Sequence, residues 1–232
     1  MAAAGSGRRL GAGGPKAFVP LAGRPMVEWS IEACRAAGSV RSIVVACPPG
    51  HVHELDGDDL RMVEGGATRA QSVSNALEAV GTELVAIHDA ARPLVTPELI
   101  DDVVATLVAD PEAAGAIAAA PVTDTIKQSE TTKCAFATHK GANARLVVEA
   151  TVDREWLWAA QTPQVFRVEA LRSALDGDPD RVAAATDEAM LVEAMGGKAL
   201  IHPSPVENLK VTTPLDLKLA ELLLADRTSE SR

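Results

Sequence analysis

The N-terminal segment holds the densest group of residue types that can bind phosphate. Glycines recur from Gly5 to Gly14, and Lys16 follows them. Glycine allows backbone N–H groups to approach an anion closely, and Arg9 and Lys16 supply positive charge beside them. The spacing matches neither a Walker A loop, because Pro15 precedes Lys16, nor a dinucleotide fingerprint. A phosphate-binding loop is therefore one interpretation, and a flexible, Gly/Ala-rich N-terminus is the alternative.

Three other candidate residues follow predicted strands. Gly66 comes after a short apolar run at 60–63, Asp89 comes two residues after the run at 84–87, and Lys210 follows a third run. Ligands of open parallel sheets bind outside the carboxyl ends of the strands, so this placement favours a nucleotide or phosphate site. The alternatives are that Asp89 caps a loop and that Lys210 is a solvated surface lysine.

Predicted strands and helices alternate along the chain, and these elements must position the candidate residues. Pro25, Thr96-Pro97 and Thr213-Pro214 are typical helix starts, and Asp187 and Glu188 are typical acids of a first helical turn. Between the helices lie short β-branched runs. The pattern predicts an α/β protein whose mostly parallel sheet carries helices on both faces, within a single domain over 1–232.

One segment, at about 125–153, breaks this rhythm because polar and small residues replace any helical stripe. A structureless loop of that length is uncommon inside a compact domain. We therefore expect an extended arm or hairpin that leaves the domain, with a disordered surface loop as the alternative.

The composition excludes several functional classes. The chain has 232 residues, a formal net charge of −10 and 47% hydrophobic residues, which is typical of a globular protein. The acidic balance opposes non-specific nucleic-acid binding, and 3% aromatic residues offer few platforms for base stacking. An anionic ligand would therefore need local positive contacts.

The cysteines and the apolar runs indicate in which cellular compartment the protein works. Cys34, Cys47 and Cys134 lie far apart without CxxC spacing, so neither a disulfide framework nor a zinc site is predicted. The longest apolar stretch, around 113–122, is too short to span a bilayer. These features favour a cytoplasmic protein that binds neither membrane nor nucleic acid.

Eight short motifs occur in one order and together resemble a known family. They are AAGSGRRL with PK at 3–16, GG-x-x-R-x-x-SV at 65–73, HDAARP at 88–93, DTIK at 124–127, TVDR at 151–154, TPQ at 162–164, TDEA at 186–189 and NLKVT at 208–212. Each is weak alone, but the ordered set is similar to the 2-C-methyl-D-erythritol 4-phosphate cytidylyltransferases from Ala3 to about Ala225.

The resemblance implies a three-layer, Rossmann-like nucleotidyltransferase fold with a protruding β-arm for dimerisation. It also implies a reaction in which CTP and methylerythritol 4-phosphate, with Mg²⁺ as cofactor, give a CDP-alcohol and pyrophosphate. The attacking phosphate monoester is already ionised near neutral pH, so the reaction needs positioning and charge neutralisation more than a general base.

The resemblance also implies roles for residues at matching positions. The catalytic set is Arg9, Lys16 and Lys210. The nucleotide-binding set is Ala3, Ala4, Gly5, Gly7, Gly66, Ser72 and Asp89. The set that binds methylerythritol phosphate is Arg92, Thr125, Arg154, Thr186 and Thr212. Thr125 and Arg154 would reach the neighbouring subunit of a homodimer, and CTP phosphates would hold most of the Mg²⁺, with Asp89 as a possible protein ligand.

Other functions remain open at this level. A ribitol-5-phosphate cytidylyltransferase would share the fold and the nucleotide loop, although Ala91 within HDAARP favours the methylerythritol enzyme. A further sugar-phosphate nucleotidyltransferase that uses UTP or GTP is another candidate. A non-catalytic nucleotide-binding regulatory module is disfavoured, because Arg9, Lys16 and Lys210 together exceed what binding alone requires.

The sequence departs from the family pattern before the first motif. Family members carry an apolar strand, usually ending in Pro, directly before AAGSG, whereas only Met1 and Ala2 precede it here. That strand is central in the family's sheet. We therefore expect a version that carries upstream residues to melt at a clearly higher temperature.

Overall fold

The computed structural model describes residues 1–5, 7, 10, 14–52, 55, 59–129 and 147–230, with residues 228–230 described by backbone alone. The chain forms two compact units. The larger unit comprises Met1–Ala119 and Ala160–Arg232, and the smaller unit comprises Ala120–Ala159. The single-domain organisation expected from the sequence stays a prediction.

Helices begin where the sequence supplies caps. The helices are α1 (Met26–Ala36), α2 (Arg69–Leu77), α3 (Pro97–Val108), α4 (Val168–Leu175), α5 (Pro179–Ala184), α6 (Glu188–Ala194) and α7 (Pro214–Glu230). The side chains of Thr68, Thr96 and Asp187 each accept a hydrogen bond from a backbone N–H in the first turn of α2, α3 and α6. Such N-caps satisfy backbone donors that a helix leaves unpaired.

The described strands form the sheets of the fold. They are β1 (Pro20–Leu21), β2 (Arg24–Pro25), β3 (Ile43–Cys47), β4 (Leu60–Glu64), β5 (Leu84–Ile87), β6 (Gly115–Pro121), β7 (Ile126–Ser129), β8 (Val148–Val152), β9 (Trp158–Arg167) and β10 (Ala199–Pro203). One sheet has the order β10-β6-β9-β5, and a second pairs β3 with β4. β10–β6 and β3–β4 are parallel, whereas β5–β9 is antiparallel.

The N-terminal residues lie between these two sheets. Ala2 forms parallel bridges to Ala46 at the end of β3 and to Asp89 just after β5. The Ala2 N–H donates to the carbonyl of His88 at 2.8 Å, and the Ala3 N–H donates to the carbonyl of Ala46 at 3.0 Å. The segment therefore links the carboxyl ends of β3 and β5, which is where the sequence placed the candidate site.

Helices cover both faces of the sheet, as the alternation of buried residues on β6 and β9 shows. Ala116, Ala118 and Val165 pack in a cluster with residues of α1 and α3. Their strand neighbours Ile117 and Phe166 pack in a second cluster with residues of α2, α4 and α6. Because successive strand residues point to opposite faces, the two clusters are separate layers of core. The expected α/β fold is thus confirmed, with β9 as an antiparallel member.

The smaller unit contains an antiparallel hairpin formed by β7 and β8. Ile126 pairs with Val152 and Lys127 pairs with Thr151, and the register shifts between Gln128 and Ser129. This hairpin occupies the segment where the sequence predicted an arm. Residues 130–146, between the two strands, lie outside the described residues. In the described part of the chain, no helix is long and apolar enough to cross a membrane.

Candidate functional site

A cavity of about 630 Å³ opens at the carboxyl ends of β3 and β5 in the larger unit. Most of the residues that the sequence singled out line it: Ala3, Ala4, Gly5, Gly7, Lys16, Gly66, Ser72, Asp89, Lys210 and Thr212. Its lining also includes Arg69, so lysine and arginine side chains outnumber the carboxylate of Asp89 there. The acidic protein therefore has a locally cationic pocket, as an anionic ligand requires.

The described residues at the two ends of the glycine-rich segment meet at one side of this cavity. The N–H of Lys16 donates to the carbonyl of Gly5 at 3.0 Å. Gly7 has a φ of +66°, and a Cβ there would lie 2.8 Å from the carbonyl oxygen of Gly14. Only glycine meets both conditions without strain. The interpretation as a phosphate-binding loop and the alternative of a flexible terminus both stay predictions, because residues 6, 8–9 and 11–13 lie outside the described residues.

Some backbone N–H groups of this segment pair with the sheet, and others are available to bind a ligand. Ala3 donates its N–H to Ala46, so it is committed to the sheet. Within the described chain, the N–H groups of Ala4 and Gly5 have no hydrogen-bond partner, and both residues line the cavity. Since unpaired N–H groups are strong donors, these two could contact an anion or a base edge.

Gly65 and Gly66 bring the start of α2 close to the N-terminal segment. A Cβ on Gly65 would lie 2.5 Å from the Cβ of Ala4, so only glycine allows this approach. The N–H of Gly66 donates to Ser72 Oγ at 3.0 Å, and that hydroxyl donates to the carbonyl of Thr68 at 2.9 Å. Ser72 thus fixes the turn. Its hydroxyl also lies 3.5 Å from the carbonyl oxygen of Gly66, which keeps the capacity to accept a hydrogen bond from a ligand.

Asp89 lies between two cations. Its Oδ2 accepts a hydrogen bond from Lys210 Nζ at 2.5 Å. Its Oδ1 lies 3.2 Å from both Nε and Nη2 of Arg69. Burial alone would raise the pKa of Asp89, but Arg69 and Lys210 hold it well below its usual value. The carboxylate is therefore ionised at neutral pH.

His88 is a buried strand-end residue and not an acid–base group. Burial lowers the pKa of its imidazole to about 4, so the ring is neutral near pH 7. The Asp89 N–H donates to Thr162 Oγ1, which leaves that hydroxyl to donate to His88 Nδ1 at 3.1 Å. His88 Nε2 then donates to the carbonyl of Arg92 at 3.2 Å. Together these hydrogen bonds fix the backbone that carries Asp89.

Arg92 and Thr186, two further predicted residues of the larger unit, do not line this cavity. Arg92 is buried, and its guanidinium donates to the carbonyls of Asn208 at 2.8 Å and Ala160 at 3.3 Å. Its buried Nε has no partner among the described residues. Thr186 is exposed, directly before the Asp187 cap of α6. Their predicted contacts with the alcohol substrate stay predictions.

Three predicted residues cannot be placed in the cavity. Thr125 and Arg154 belong to the smaller unit, where the guanidinium of Arg154 donates to the carbonyl of Thr123. Arg9 lies outside the described residues.

Two charged residues at the site, Arg69 and Glu188, were not predicted from the sequence to have a functional role. Arg69 is the arginine of the GG-x-x-R motif, and Glu188 is the acid expected merely to begin a helix. The structure joins them: Arg69 Nη1 donates to both carboxylate oxygens of Glu188, whose side chain is only 1% exposed. The arginine within the motif was a usable signal for Arg69, but nothing local to Glu188 indicated its burial.

The side chains around the cavity suit a metal ion that is bound mainly by the phosphates of a substrate and by few protein groups. Among the described residues, no three His, Cys, Asp or Glu side chains come together in a metal-binding group. Asp89 is the one carboxylate in the described lining of the cavity. Mg²⁺ is commonly bound by one or two carboxylates together with substrate phosphates, so Asp89 fits that use.

Comparisons with known proteins agree with the motifs. The model of the family described as "2-C-methyl-D-erythritol 4-phosphate cytidylyltransferase" (IspD) matches residues 1–226. A relative of that name from Synechococcus elongatus is 40% identical over 235 residues, which cover 97% of this chain and 94% of the relative. The relative from Frankia casuarinae is 42% identical over 228 residues, covering 96% and 79% of the two chains.

Solved structures show the same similarity. The 2-C-methyl-D-erythritol 4-phosphate cytidylyltransferase of Thermus thermophilus superimposes with a TM-score of 0.76 at 33% identity, covering 96% of each chain. The corresponding protein of Francisella tularensis has a TM-score of 0.77 at 28% identity, covering 95% of this chain and 96% of its own.

Proposed function

The chain belongs to the 2-C-methyl-D-erythritol 4-phosphate cytidylyltransferase family, and from this premise we propose that its cationic cavity carries out cytidylyl transfer. The family's reaction transfers CMP from CTP to 2-C-methyl-D-erythritol 4-phosphate. The observation that carries the proposal is the convergence of Lys16, Asp89 and Lys210 on one cavity beside the glycine loop. The family membership makes the chain an enzyme, so the regulatory-module hypothesis is not supported.

The reaction is an in-line displacement at phosphorus. A phosphate oxygen of methylerythritol phosphate forms a bond to the α-phosphorus of CTP, and the bond from that phosphorus to the β-bridging oxygen breaks. Pyrophosphate leaves, and the new phosphoanhydride is 4-diphosphocytidyl-2-C-methyl-D-erythritol. The transition state is crowded and multiply anionic, so positioning and charge neutralisation dominate catalysis.

Lys16 and Lys210 supply the charge neutralisation. Lys16 follows the glycine-rich segment and lines the cavity, where it would bind the triphosphate together with Arg9. Lys210 faces the same cavity, and its 42% exposed side chain can exchange Asp89 for a phosphate. Its proposed role is to hold the attacking phosphate against the α-phosphorus.

The backbone around the cavity would recognise the nucleotide. The N–H groups of Ala4 and Gly5 and the carbonyl of Gly66 present both donors and acceptors to a cytosine edge. Ala3, Gly7 and Ser72 support these groups by fixing the loop and the turn. Asp89 would accept a hydrogen bond from the ribose.

We propose Mg²⁺ as the cofactor, bound chiefly by CTP phosphates with Asp89 as the protein ligand. When bound, the ion supplies further neutralisation of phosphate charge. The support on the protein side is the ionised carboxylate of Asp89 in the cavity lining.

No general base is required. The substrate phosphate is already ionised near pH 7, and the pKa of His88 at about 4 keeps that buried imidazole neutral and hydrogen-bonded. The cavity accordingly offers cations and backbone amides in place of a proton-transfer pair.

The alcohol would be bound by Arg92, Thr186 and Thr212, with Thr125 and Arg154 from a neighbouring subunit. Methylerythritol phosphate is favoured over ribitol 5-phosphate, because the matched family model and the relatives described above bear the methylerythritol name. No observation favours UTP or GTP as the nucleotide.

We also propose a homodimer in which the smaller unit of each chain serves its partner's site. The support is that this unit exposes large apolar side chains: Trp156 is 77% exposed, Val148 58% and Val147 50%. Exposed apolar patches of this kind mark interaction surfaces. A cytoplasmic location is proposed on the cysteine pattern, because Cys34, Cys47 and Cys134 lie far apart in the sequence without CxxC spacing.

Pyrophosphate release tests the proposed function. Purified protein is supplied with CTP, Mg²⁺ and methylerythritol 4-phosphate, and parallel reactions contain ribitol 5-phosphate or UTP. Release with CTP and methylerythritol phosphate is expected, with much slower release in the parallel reactions. Faster release with ribitol 5-phosphate would overturn the choice of alcohol.

A further inference from the structure

Four charged side chains form a row from the interior of the larger unit to the cavity. In order they are Glu188, Arg69, Asp89 and Lys210, and neighbours along the row are joined by hydrogen-bonded ion pairs. Signs alternate along the row, so the four charges sum to zero. Only the last three line the cavity.

Side-chain exposure is lowest at the Glu188 end of this row and highest at the Lys210 end. The Glu188 side chain is 1% exposed, those of Asp89 and Arg69 are 10% and 24%, and that of Lys210 is 42%. The inner members are therefore held by the protein, whereas the Lys210 ammonium can leave Asp89 when a more anionic ligand enters. The group that fixes the Asp89 carboxylate must therefore lie on the side of Asp89 that faces away from Lys210, toward the interior.

Arg69 is placed to do this. It is the first residue of α2, directly after the Thr68 cap, so its backbone is fixed beside the cavity. One side of its guanidinium, Nη1, contacts Glu188, and the other side, Nε and Nη2, contacts Asp89 Oδ1. A planar guanidinium presents five N–H donors in a fixed fork and can span two carboxylates in this way, whereas an ammonium presents its three donors from one atom and does not reproduce the fork.

We propose that Arg69, held by Glu188, is a positioning residue that fixes the Asp89 carboxylate for the nucleotide while Lys210 changes partners. The inference rests on the proposed function, because it names what orients Asp89 in that site. Arg69 leaves Asp89 Oδ2 as the outward oxygen. When Lys210 turns to a phosphate, this oxygen becomes available to the ribose or to a cation on the triphosphate.

A buried ion pair of this kind is weak evidence for a stabilising interaction. Taking two charges out of water costs free energy, and replacing a buried pair by apolar residues of similar volume is often neutral or stabilising. Removing one partner alone leaves a buried, uncompensated charge and is strongly destabilising. A variant that removes both charges therefore separates positioning from folding.

The test uses the double variant Arg69→Met/Glu188→Leu and the single variant Arg69→Lys in the full chain. The matched control is Arg172→Met/Glu78→Leu, because Glu78 caps the other end of α2 and forms an exposed ion pair with Arg172 at 3.7 Å. CTP binding with Mg²⁺ is measured by calorimetry without the alcohol, melting temperature by thermal unfolding, and kcat and KM by pyrophosphate release.

We expect the double variant to melt within about 3 °C of the parent, to bind CTP at least about tenfold more weakly and to lose about 10²-fold in kcat, the usual cost of misplacing a reacting group. Its KM for the alcohol should stay within about twofold, as uniform binding of that substrate is untouched. The control pair should change none of these quantities.

Arg69→Lys distinguishes positioning from charge alone. It keeps the positive charge but cannot span both carboxylates, so a comparable loss of CTP binding is expected. CTP binding and kcat near parental values in either variant would overturn the proposal. If the parent itself released no pyrophosphate, the proposed function would fail, and the CTP titrations would still report on Arg69.

Discussion

Lys210 Nζ lies 2.5 Å from Asp89 Oδ2, although the two residues are 121 positions apart in the chain. The pair joins the end of β5 to the segment after β10 and places a half-exposed cation at the mouth of the site. It is the contact that a bound phosphate would be expected to replace.

Replacing Lys210 by Ala should lower kcat for pyrophosphate release by about 10²- to 10³-fold, the size expected for losing one charge contact in the transition state. Lys198→Ala is the matched control, since Lys198 forms a similar ion pair with Asp110 at 2.6 Å outside the cavity. Steady-state kinetics measure both. Near-parental kcat in Lys210→Ala would remove Lys210 from the mechanism.

Replacing Gly65 by Ala should weaken CTP binding. The added Cβ would lie 2.5 Å from the Cβ of Ala4, so the N-terminal segment must shift away from the cavity, and overpacking of this kind costs about 1–3 kcal/mol. We expect the KM for CTP to rise about tenfold. Gly81→Ala is the control, because a Cβ there meets no atom within 4 Å. Equal KM values for the two variants would contradict the close-approach argument.

His88 makes stability depend on pH. Its pKa is lowered by burial to about 4, against about 6.5 in the unfolded chain, so between these values the unfolded chain takes up a proton that the folded protein does not. Stability is thus present above pH 6.5 and is lost as the pH falls. Between pH 7 and pH 5 the loss should be about 2 kcal/mol.

Denaturant titrations at the two pH values measure this loss. His88→Gln should remove most of the difference, whereas His202→Gln, which replaces a histidine that contacts Thr106 Oγ1, should keep it. A pH dependence that survives in His88→Gln would show that other groups cause it.

Arg154→Ala should raise the KM for methylerythritol phosphate by about tenfold, because a charged hydrogen bond is worth roughly 1.5–3 kcal/mol. If the smaller unit serves the partner's site, mixing Arg154→Ala with Lys16→Ala subunits should regain activity, since one site in a mixed dimer keeps both residues. Mixing Lys16→Ala with Lys210→Ala is the control and should regain none. A mixture of Arg154→Ala and Lys16→Ala that merely averages its parents would argue against shared sites.

An apolar strand added before Met1 should raise the melting temperature. A cavity of about 510 Å³ lies between β3 and β5, and the Met1 ammonium, whose pKa is lowered by burial, donates to the Val44 carbonyl at its edge. Four β-branched residues would fill this space and pair with both strands.

A rise of about 10 °C or more is expected, since each kcal/mol gives about 2–4 °C in a chain of this size. A Gly-Ser extension of equal length is the control for thermal unfolding. Identical melting temperatures for the two extensions would contradict the prediction.

Local patterns predicted the elements of the fold well. The strand Leu84–Ile87 has the predicted bounds, and α3 begins at Pro97 after a Thr96 cap, as the sequence indicated. These features depend on periodicity and on side-chain capping, which neighbouring residues determine. The sequence also predicted that Asp89 and Lys210 each follow a strand, and in the structure they come after β5 and β10.

Long-range pairing was not predictable in this way. Glu188 looked like an ordinary first-turn acid, and only the fold shows that its burial is compensated by Arg69, 119 residues earlier. The antiparallel run of β9 beside β5 was likewise missed, because strand direction depends on the connections and not on local composition. The hydrogen bonds from Arg92 to the carbonyls of Asn208 and Ala160 are further long-range contacts that no short motif reveals, and its predicted contact with substrate stays a prediction.

The central claim is that the phosphate of methylerythritol 4-phosphate attacks the α-phosphorus of CTP in this cavity. Phosphorus NMR of a reaction with Mg²⁺ tests it most directly. The account predicts a new diphosphate whose two phosphorus nuclei couple to each other, together with an equal amount of intact pyrophosphate, and neither product with Lys16→Ala. Release of inorganic phosphate with CDP, or a diphosphate product from ribitol 5-phosphate but not from methylerythritol 4-phosphate, would contradict it.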